Sequence, residues 1–404
     1  MPTLEEARRL ILDHSKTRGT ESVELIDSLN LVTAEEIVAP WAMPLCDNSA
    51  MDGFAVRVAD CTGVARLRVV GFIAAGGSSD VRVEPGCAVK IMTGARIPDG
   101  CDAVVPFEEA EGREEYVTIT APVRTHQHIR FAGDDVRRDE VVIPAGTVIR
   151  APEINMMACF GKSRVTVFRR PRVAILSTGD ELVAVGEPVA AGKVVDSNGV
   201  SLAACVKECG AIVERLGIAQ DTRASHIAKM TIGLQADIFI TSAGVSVGDR
   251  DLVREVLAEL GMSQVFYGVD VRPGAPTTFG VKEGRLVFCL PGNPVASMII
   301  FDELVRPAIL KTMGYKRILQ PWVRAVLQED VSKKPGMVKL LRVRLESRGA
   351  TLLAFSSGDQ TTGMLKTLIR ADGVAMLAAE RTSFAAGDEV DVRVISNNRV
   401  MLEA

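Results

Sequence analysis

The spacing of apolar residues changes several times along this chain, and each change marks a change of architecture. Leu4, Ala7, Leu10 and Ile11 share one face of a helix over 3–14, opened by the capping box Thr3-Leu4-Glu5-Glu6. A second helix is expected near 21–30 and a short helical stretch at 34–38, before Pro40 and Pro44 end the segment. From 45 to about 135, short alternating runs (Arg66–Val70, Ala88–Met92, Tyr116–Ile119) are separated by turns such as Glu84-Pro85-Gly86 and Pro98-Asp99-Gly100. This is the pattern of a small β-rich unit. Residues 136–170 return to mixed structure, with Pro152 in the first turn of a helix that runs to Cys159 and stops at Gly161.

From Pro171 unbroken apolar runs alternate with helical periods. Arg172–Leu176, Ala211–Ile218, Asp237–Ser242 and Arg285–Leu290 read as strands, and Asn198–Cys209 and Arg223–Gln235 as helices. Further helices are expected up to Leu260 and after Pro294. The alternation argues for a doubly wound α/β domain with helices on both faces of a parallel sheet. After about Gln320 the period returns to two. Leu341, Val343 and Leu345 alternate with Arg342, Arg344 and Glu346, and Val390, Val392 and Val394 with Asp391 and Arg393. A small C-terminal β domain without helix is expected there. The expected spans are 1–44 with 136–170, an inserted 45–135, 171–318 and 319–404.

Composition narrows the class. A chain of 404 residues is too long for one ordinary core. A net charge of -4 argues against a general nucleic-acid binder while leaving room for a local basic pocket. Charged residues interrupt any leader-like start, and no run reaches the ~18 apolar residues of a membrane span, so a soluble, cytoplasmic protein is expected. The eight cysteines include no CxxC pair, and Cys205 and Cys209 read as small buried apolar residues of a helix. The four histidines make no metal signature, and His126 and His128 read as exposed.

Open parallel sheets bind ligands outside the carboxyl ends of their strands. The loops 177–181, 242–251 and 290–294 all fall at such ends, and all are rich in Gly, Ser, Thr or Pro. Glycine lets backbone N–H groups approach an anion, and the following helix start adds partial positive charge. The middle loop, with Gly244, Gly248, Ser242 and Ser246, suits a phosphate or pyrophosphate, although it is neither a P-loop nor GxGxxG. Asp180, Glu181, Asp249 and Asp251 lie at the same edge. Carboxylates there repel a phosphate unless a divalent cation intervenes or they bind the N–H groups of a heterocycle. Ligand or metal roles are favoured for Glu181 and Asp251. A helix-capping role is the alternative for Asp180, and capping reads at least as well as ligand binding for Asp196 and Asp221.

The strings DNSAMDGFAV, IMTGARIPDGCDAVV, AGDD, VAILSTGDEL, DSNG, SAGVSVGDRD, RPGAPTTFG and LPGNPVAS run in order from Asp47 to Ser297. Together they resemble the molybdopterin molybdenumtransferase family, the MoeA-type proteins that include the gephyrin E domain. The resemblance implies an elongated mixed N-terminal domain, a β-rich domain, a central molybdopterin-binding α/β domain and a C-terminal β-barrel-like domain. It implies a magnesium-dependent enzyme of molybdenum cofactor biosynthesis that uses molybdate to cleave adenylylated molybdopterin, releasing AMP. With no Ser-His pairing evident, molybdate oxygen or water is the expected attacking group. A homodimer is also implied, in which Asp52, Thr93 and Asp135 of one subunit complete a cleft with the α/β edge of the other. Catalytic roles then fall to Asp52, Thr93, Asp135, Glu181 and Asp251, and metal binding to Glu181, Asp249 and Asp251. Substrate binding falls to Ser177, Thr178, Gly179, Asp221, Ser242, Gly244, Ser246, Gly248, Arg272, Pro276, Pro291, Gly292, Asn293, Pro294 and Arg342.

The chain departs from the family pattern in the oxyanion loop. The family commonly has Lys-Pro-Gly-Lys-Pro where this sequence has Arg272-Pro273-Gly274-Ala275-Pro276, so the second cation is lost. Ala243 replaces a usual glycine, and Pro335-Gly336-Met337 a usual Pro-Gly-Arg. Residues 331–348 carry Lys333, Lys334, Lys339, Arg342, Arg344 and Arg348 against the single acid Glu346; they read either as a solvated strand face or, for Arg342, as an oxyanion ligand. Two alternatives to the enzyme stay open: a molybdopterin or cofactor carrier without turnover, and a tungstate-selective insertase.

Overall fold

A computed structural model describes residues 1–77, 82–112, 114–242 and 252–395. Helix Leu4–His14 begins at the expected capping box, with the Thr3 hydroxyl accepting from the Glu6 N–H and Glu6 accepting from the Thr3 N–H. Leu4, Ala7 and Ile11 are buried as the period predicts, and so is Arg8. The helix expected near 21–30 is instead the strand Thr20–Glu24, antiparallel to Arg164–Phe168, followed by a short 3-10 turn Leu25–Ser28. The ladder partner lies far along the chain, and that tertiary pairing overrides the local helical period. The stretch 34–38 contains the two-residue strand Ile37–Val38, paired with Val141–Ile143. Helix Ala151–Cys159 forms as expected, with Pro at its start.

The β-rich unit is one six-stranded sheet in the order Ala103–Pro106, Gly53–Val56, Cys87–Ile91, Ala65–Ile73, Tyr116–Ile119, Ala110–Glu111. The α/β domain is built on a second six-stranded sheet. Its parallel part runs Ile212–Ala219, Arg172–Thr178, Ile238–Ser242, Arg285–Leu290. Two antiparallel strands, Thr278–Lys282 and Ser263–Tyr267, extend the edge beyond Arg285–Leu290, so the sheet is mixed rather than wholly parallel.

In the C-terminal region Val338–Arg348, Thr351–Ser356, Trp322–Leu327, Glu389–Val394 and Gly373–Leu377 pair in sequence, and the last returns to the first. They form a closed five-stranded barrel. The region also holds the short helix Lys366–Arg370, which alternation alone does not reveal. A two-residue ladder, Val271–Arg272 with Val338–Lys339, joins the α/β domain to the barrel. The apolar core is continuous across these parts: one cluster includes Leu4 and Ile11, the sheet residues Ile240 and Phe288, and the barrel residues Leu340 and Val374.

A buried ion cluster sits at the same junction. A π-helical turn, Phe301–Val305, separates helices Pro294–Ile300 and Arg306–Thr312 and carries Glu303. Arg8 Nη2 donates to Glu303 Oε2 at 2.6 Å, and Arg8 Nε to the Glu303 carbonyl at 3.2 Å. Arg393 Nη1 reaches the same carboxylate oxygen at 3.0 Å, close enough for an ion pair but not aligned for a hydrogen bond. The Arg393 guanidinium also lies over the Trp322 ring, 4.4 Å from its centre. One carboxylate thus holds the N-terminal helix, the α/β domain and the barrel together.

Candidate active site

Strand order reverses between Arg172–Thr178 and Ile238–Ser242, because the chain leaves the first strand to one side and the second to the other. That reversal opens a crevice outside their carboxyl ends. Ser177 and Ser242 are register partners there, and Ser242 pairs in turn with Leu290. A pocket of about 190 Å³ opens at these strand ends, with Glu181, Asp196, Asn198, Ser242, Gly292 and Pro294 among its lining.

Hydrogen bonds fix the pocket floor. Asn198 Nδ2 donates to Ser242 Oγ at 2.7 Å and to the Gly292 carbonyl at 2.8 Å, tying one helix start to two strand ends. Ser177 Oγ donates to Asp196 Oδ1 at 2.7 Å, and the same oxygen accepts from the Gly199 N–H at 2.9 Å. Asp196 is therefore the cap of helix Ser197–Glu208, as its position suggests. Asn293 caps helix Pro294–Ile300 by accepting from the Val295 and Ala296 N–H groups. Among the described residues, Thr178 Oγ1, Asn198 Oδ1, Thr241 Oγ1 and Ser297 Oγ are buried without hydrogen-bond partners. Such groups are costly unless a ligand or water meets them, and these four lie near the strand ends that form the pocket.

The acids at this edge divide by role. Asp221 does not cap helix Arg223–Gly233, because Thr222 does. Nor does Asp180 cap a helix: the Asp180 N–H donates to Asp221 Oδ2 at 3.2 Å and the Asp221 N–H to Asp180 Oδ1 at 3.0 Å. The two aspartates brace adjoining loops. Glu181 is exposed on the pocket wall and forms no ion pair among the described residues. Gly179 makes room for it, since a Cβ there would run into the Glu181 carboxylate and φ is +144°. Pro291 is buried between strand and loop. Gly244, Ser246, Gly248, Asp249 and Asp251, with Ala243, lie outside the described residues.

A second group of predicted residues gathers at one end of the β-rich unit. Asp52 Oδ1 accepts from the Thr93 N–H at 2.7 Å and from Thr93 Oγ1 at 2.8 Å. The Thr93 backbone bond, then its side-chain bond, hold the Asp52 carboxyl below the usual carboxylate range. Asp135 lines a cavity of about 540 Å³ with Met43, Pro44, Asn48, Arg130 and Asp134. Bonds from Ser49 N–H to the Ala95 carbonyl and from Gly94 N–H to the Ser49 carbonyl hold the Asn48–Ser49 strand against the Thr93 turn. The pairing of Asn48–Ser49 with Ile129–Arg130 brings in the segment that carries Asp135. Among the described residues no hydrogen bond or ion pair connects this group to the α/β edge within one chain.

The third group lies at the ladder between α/β domain and barrel. A cavity of about 660 Å³ is lined by Arg272, Pro273, Lys333, Lys334, Lys339, Gln360 and Thr361 among others. Ala275 and Pro276 are not on its wall. Arg342 is not on a solvated strand face: it is fully buried, and it is not on the cavity wall either. Its Nε donates to Thr367 Oγ1 at 2.7 Å, and its Nη2 to the Asp359 and Thr361 carbonyls at 3.2 Å each, so it holds from behind the loop that forms the wall. Among the described residues Arg342 Nη1 has no hydrogen-bond partner.

Sequence reasoning gave Asn198 no role, although its string had been picked out. Lys333 and Lys339 stood only as members of a basic run, and their meeting with Arg272 across a ladder leaves no local signal. The thiols of Cys205 and Cys209 are buried as expected, and burial pushes both up to about 12, whereas Cys159 is exposed. His126 is exposed and His128 half-buried. Among the described residues no helix is long and apolar enough to cross a membrane, and no three His, Cys, Asp or Glu side chains cluster as a metal site.

These features together define an α/β ligand-binding module of the strand-reversal type, with a β-rich unit before it and a barrel after it, and comparison with known proteins names its family. Residues 2–161 match the MoeA N-terminal region (domain I and II), 174–311 a probable molybdopterin binding domain, and 324–395 the MoeA C-terminal region (domain IV). The molybdopterin molybdenumtransferase of Staphylococcus aureus (strain MRSA252) is 34% identical over 397 residues, covering 96% of this chain and 94% of that one. The enzyme of the same name from Staphylococcus epidermidis (strain ATCC 12228) is 32% identical over 400 residues, covering 98% and 95%. The molybdopterin biosynthesis MoeA protein of Pyrococcus horikoshii OT3 superposes with a TM-score of 0.83 at 27% identity, covering 98% of this chain and 100% of that one. The chain belongs to the MoeA-type molybdopterin molybdenumtransferase family.

Proposed function

We propose that the chain inserts molybdate into adenylylated molybdopterin, breaking the pyrophosphate link and releasing AMP in molybdenum cofactor biosynthesis. The observation that carries this reading is the Ser177–Ser242 register pair at the strand reversal, with unpartnered polar groups around it. Serine hydroxyls, the Gly292 turn and the helix starts at Asp196 and Asn293 suit a phosphate-bearing heterocycle. Glu181, on the wall and without an ion-pair partner among the described residues, would hold a magnesium ion jointly with the substrate phosphates, which is how that ion is commonly bound. The ion would supply charge neutralisation on the phosphates; the Ser242 hydroxyl, whose oxygen Asn198 holds, would donate to them, and the Asp180–Asp221 brace would keep the Glu181 loop in place.

The separation of Asp52, Thr93 and Asp135 from the α/β edge supports a homodimer in which each cleft takes its β-rich half from the partner. The enzyme is taken to act in the cytoplasm. The test is AMP release from adenylylated molybdopterin on adding molybdate and magnesium, repeated with tungstate. Tight pterin binding with no AMP in either case would favour the carrier reading instead. For the shared cleft, Asp52→Asn and Glu181→Gln proteins are mixed: recovery of activity supports it, and mixtures as inactive as their parents refute it.

A further inference from the structure

Next to the Asp52–Thr93 pair, the β-rich sheet presents a cation and an aromatic ring that none of the sites above employs. Phe72, Lys90 and Phe54 are register partners on three adjacent strands, so their side chains share one face of the sheet. The Lys90 ammonium lies over two rings, 5.8 Å from the centre of Phe72 and 5.4 Å from that of Phe107. Phe107 is set edge-on against the fully buried Phe54, with ring centres 5.3 Å apart. Phe72, in contrast, is 59% exposed. Among the described residues Lys90 forms no ion pair. The group borders the β-rich half of the cleft. The Phe107 N–H donates to the Asp52 carbonyl at 3.1 Å, and the N–H of Met92, beside Thr93, donates to the carbonyl of Ile73, beside Phe72, at 3.0 Å. Asp52 lies two residues before Phe54, about 7 Å along the strand.

A single exposed ring is ordinary. Here an exposed ring, a cation without a counter-charge and a half-site for a phosphate-bearing substrate meet at one sheet rim. A free phosphate would leave the ring unused, and an apolar partner would leave the ammonium unused; a mononucleotide uses both. A long polynucleotide is disfavoured, because the exposed acids Glu108, Glu109 and Glu111 follow Phe107 directly. We propose that the adenine of the substrate's adenylate stacks on Phe72, with Lys90 facing the adenylate phosphate. The proposal rests on the reaction given above for the identity of the nucleotide, but not for the existence of the platform.

AMP is the probe, titrated calorimetrically into the full-length protein. Phe72→Ala should weaken AMP about tenfold, the worth of one stacked base, while Phe72→Tyr stays near wild type. The 2-aminopurine analogue of AMP should lose fluorescence on binding to wild type and keep it with Phe72→Ala. Lys90→Gln should weaken AMP about tenfold and flatten the salt dependence of binding. Because its side chain is largely exposed, Phe72→Ala should melt with wild type. A Phe72→Ala protein that binds AMP within about twofold of wild type overturns the proposal, as does a wild type that does not bind AMP or that binds a single-stranded oligonucleotide more tightly through Phe72. Turnover is followed separately. Phe72-dependent AMP binding without AMP release from adenylylated molybdopterin would sink the reaction and leave the platform. AMP release whose KM for that substrate ignores Phe72→Ala and Lys90→Gln would sink the platform and leave the reaction.

Discussion

Two groups of cations meet where the barrel joins the rest of the molecule, and they differ in one respect. Arg8 and Arg393 close on Glu303, a carboxylate buried with them. Arg272, Lys333 and Lys339 surround a cavity with no acid on its wall among the described residues. The first group has its counter-charge within the chain, so it serves as structure. The second leaves its charge unanswered, so it is suited to an anion such as the molybdate of the proposed reaction. Burial of charge alone would not distinguish them; the presence or absence of an internal counter-charge does.

The sharpest way to break this contrast is to make the first group resemble the second. Glu303→Ala strands two buried guanidinium groups and should cost about 3–5 kcal/mol, read as a lower urea midpoint. If it costs under 1 kcal/mol, the cluster is not what holds the barrel. The converse change gives the second group its own counter-charge. Lys339→Glu should reduce molybdate affinity about a hundredfold while leaving the urea midpoint the same or slightly higher.

These positions also show what the sequence could and could not say. The helix over 3–14 was legible because its cap and apolar stripe are local, but Arg8 sits on the edge of that stripe and its partner is 295 residues away. Strand Val338–Arg348 was legible from its alternation, yet Arg342, on the outward parity, is covered by the loop 356–362 and the helix Lys366–Arg370. Period two tells which face a residue takes and says nothing about what later folds over that face. The strand-end loops at 177–181 and 290–294 were found because glycine, serine and proline mark turns wherever they lie. The Asn198 bridge and the Arg272–Lys339 pair join distant segments, and only the assembled sheet order reveals them.

Smaller effects sharpen the comparison from the other pocket, where Asn198 ties two strand ends together. Asn198→Ala removes two bonds that span the strand ends and should cost about 1–2 kcal/mol, with a raised KM for the pterin substrate. An unchanged KM would mean that Asn198 only closes the fold. The smallest effect is on pH. The groups facing Lys339 are Arg272 on the neighbouring strand, Lys333, and Arg342, beyond which lies Asp359. Burial first, then the charges of Lys333 and Arg342, lower the Lys339 ammonium below the usual lysine range. Because its folded value lies below the unfolded one, anion-free protein binds fewer protons than the unfolded chain between the two, so its stability rises with pH across that window. Molybdate affinity should move the opposite way, falling about threefold to tenfold as pH rises through the lowered value, and Lys339→Arg should flatten the fall. A profile identical in the two proteins would assign the pH dependence elsewhere.

The ladder between Val271–Arg272 and Val338–Lys339 is only two residues long, yet it is both the seam between two modules and a side of the cationic cavity. An anion seated there neutralises charges that push the seam apart. Occupancy of the cavity and attachment of the barrel are then energetically coupled, and coupling of that kind is reciprocal. Whatever factor the anion adds to barrel attachment, a firmly attached barrel returns to the anion's affinity. A distant change such as Glu303→Ala, which touches no ligand, would therefore be felt as weaker anion capture.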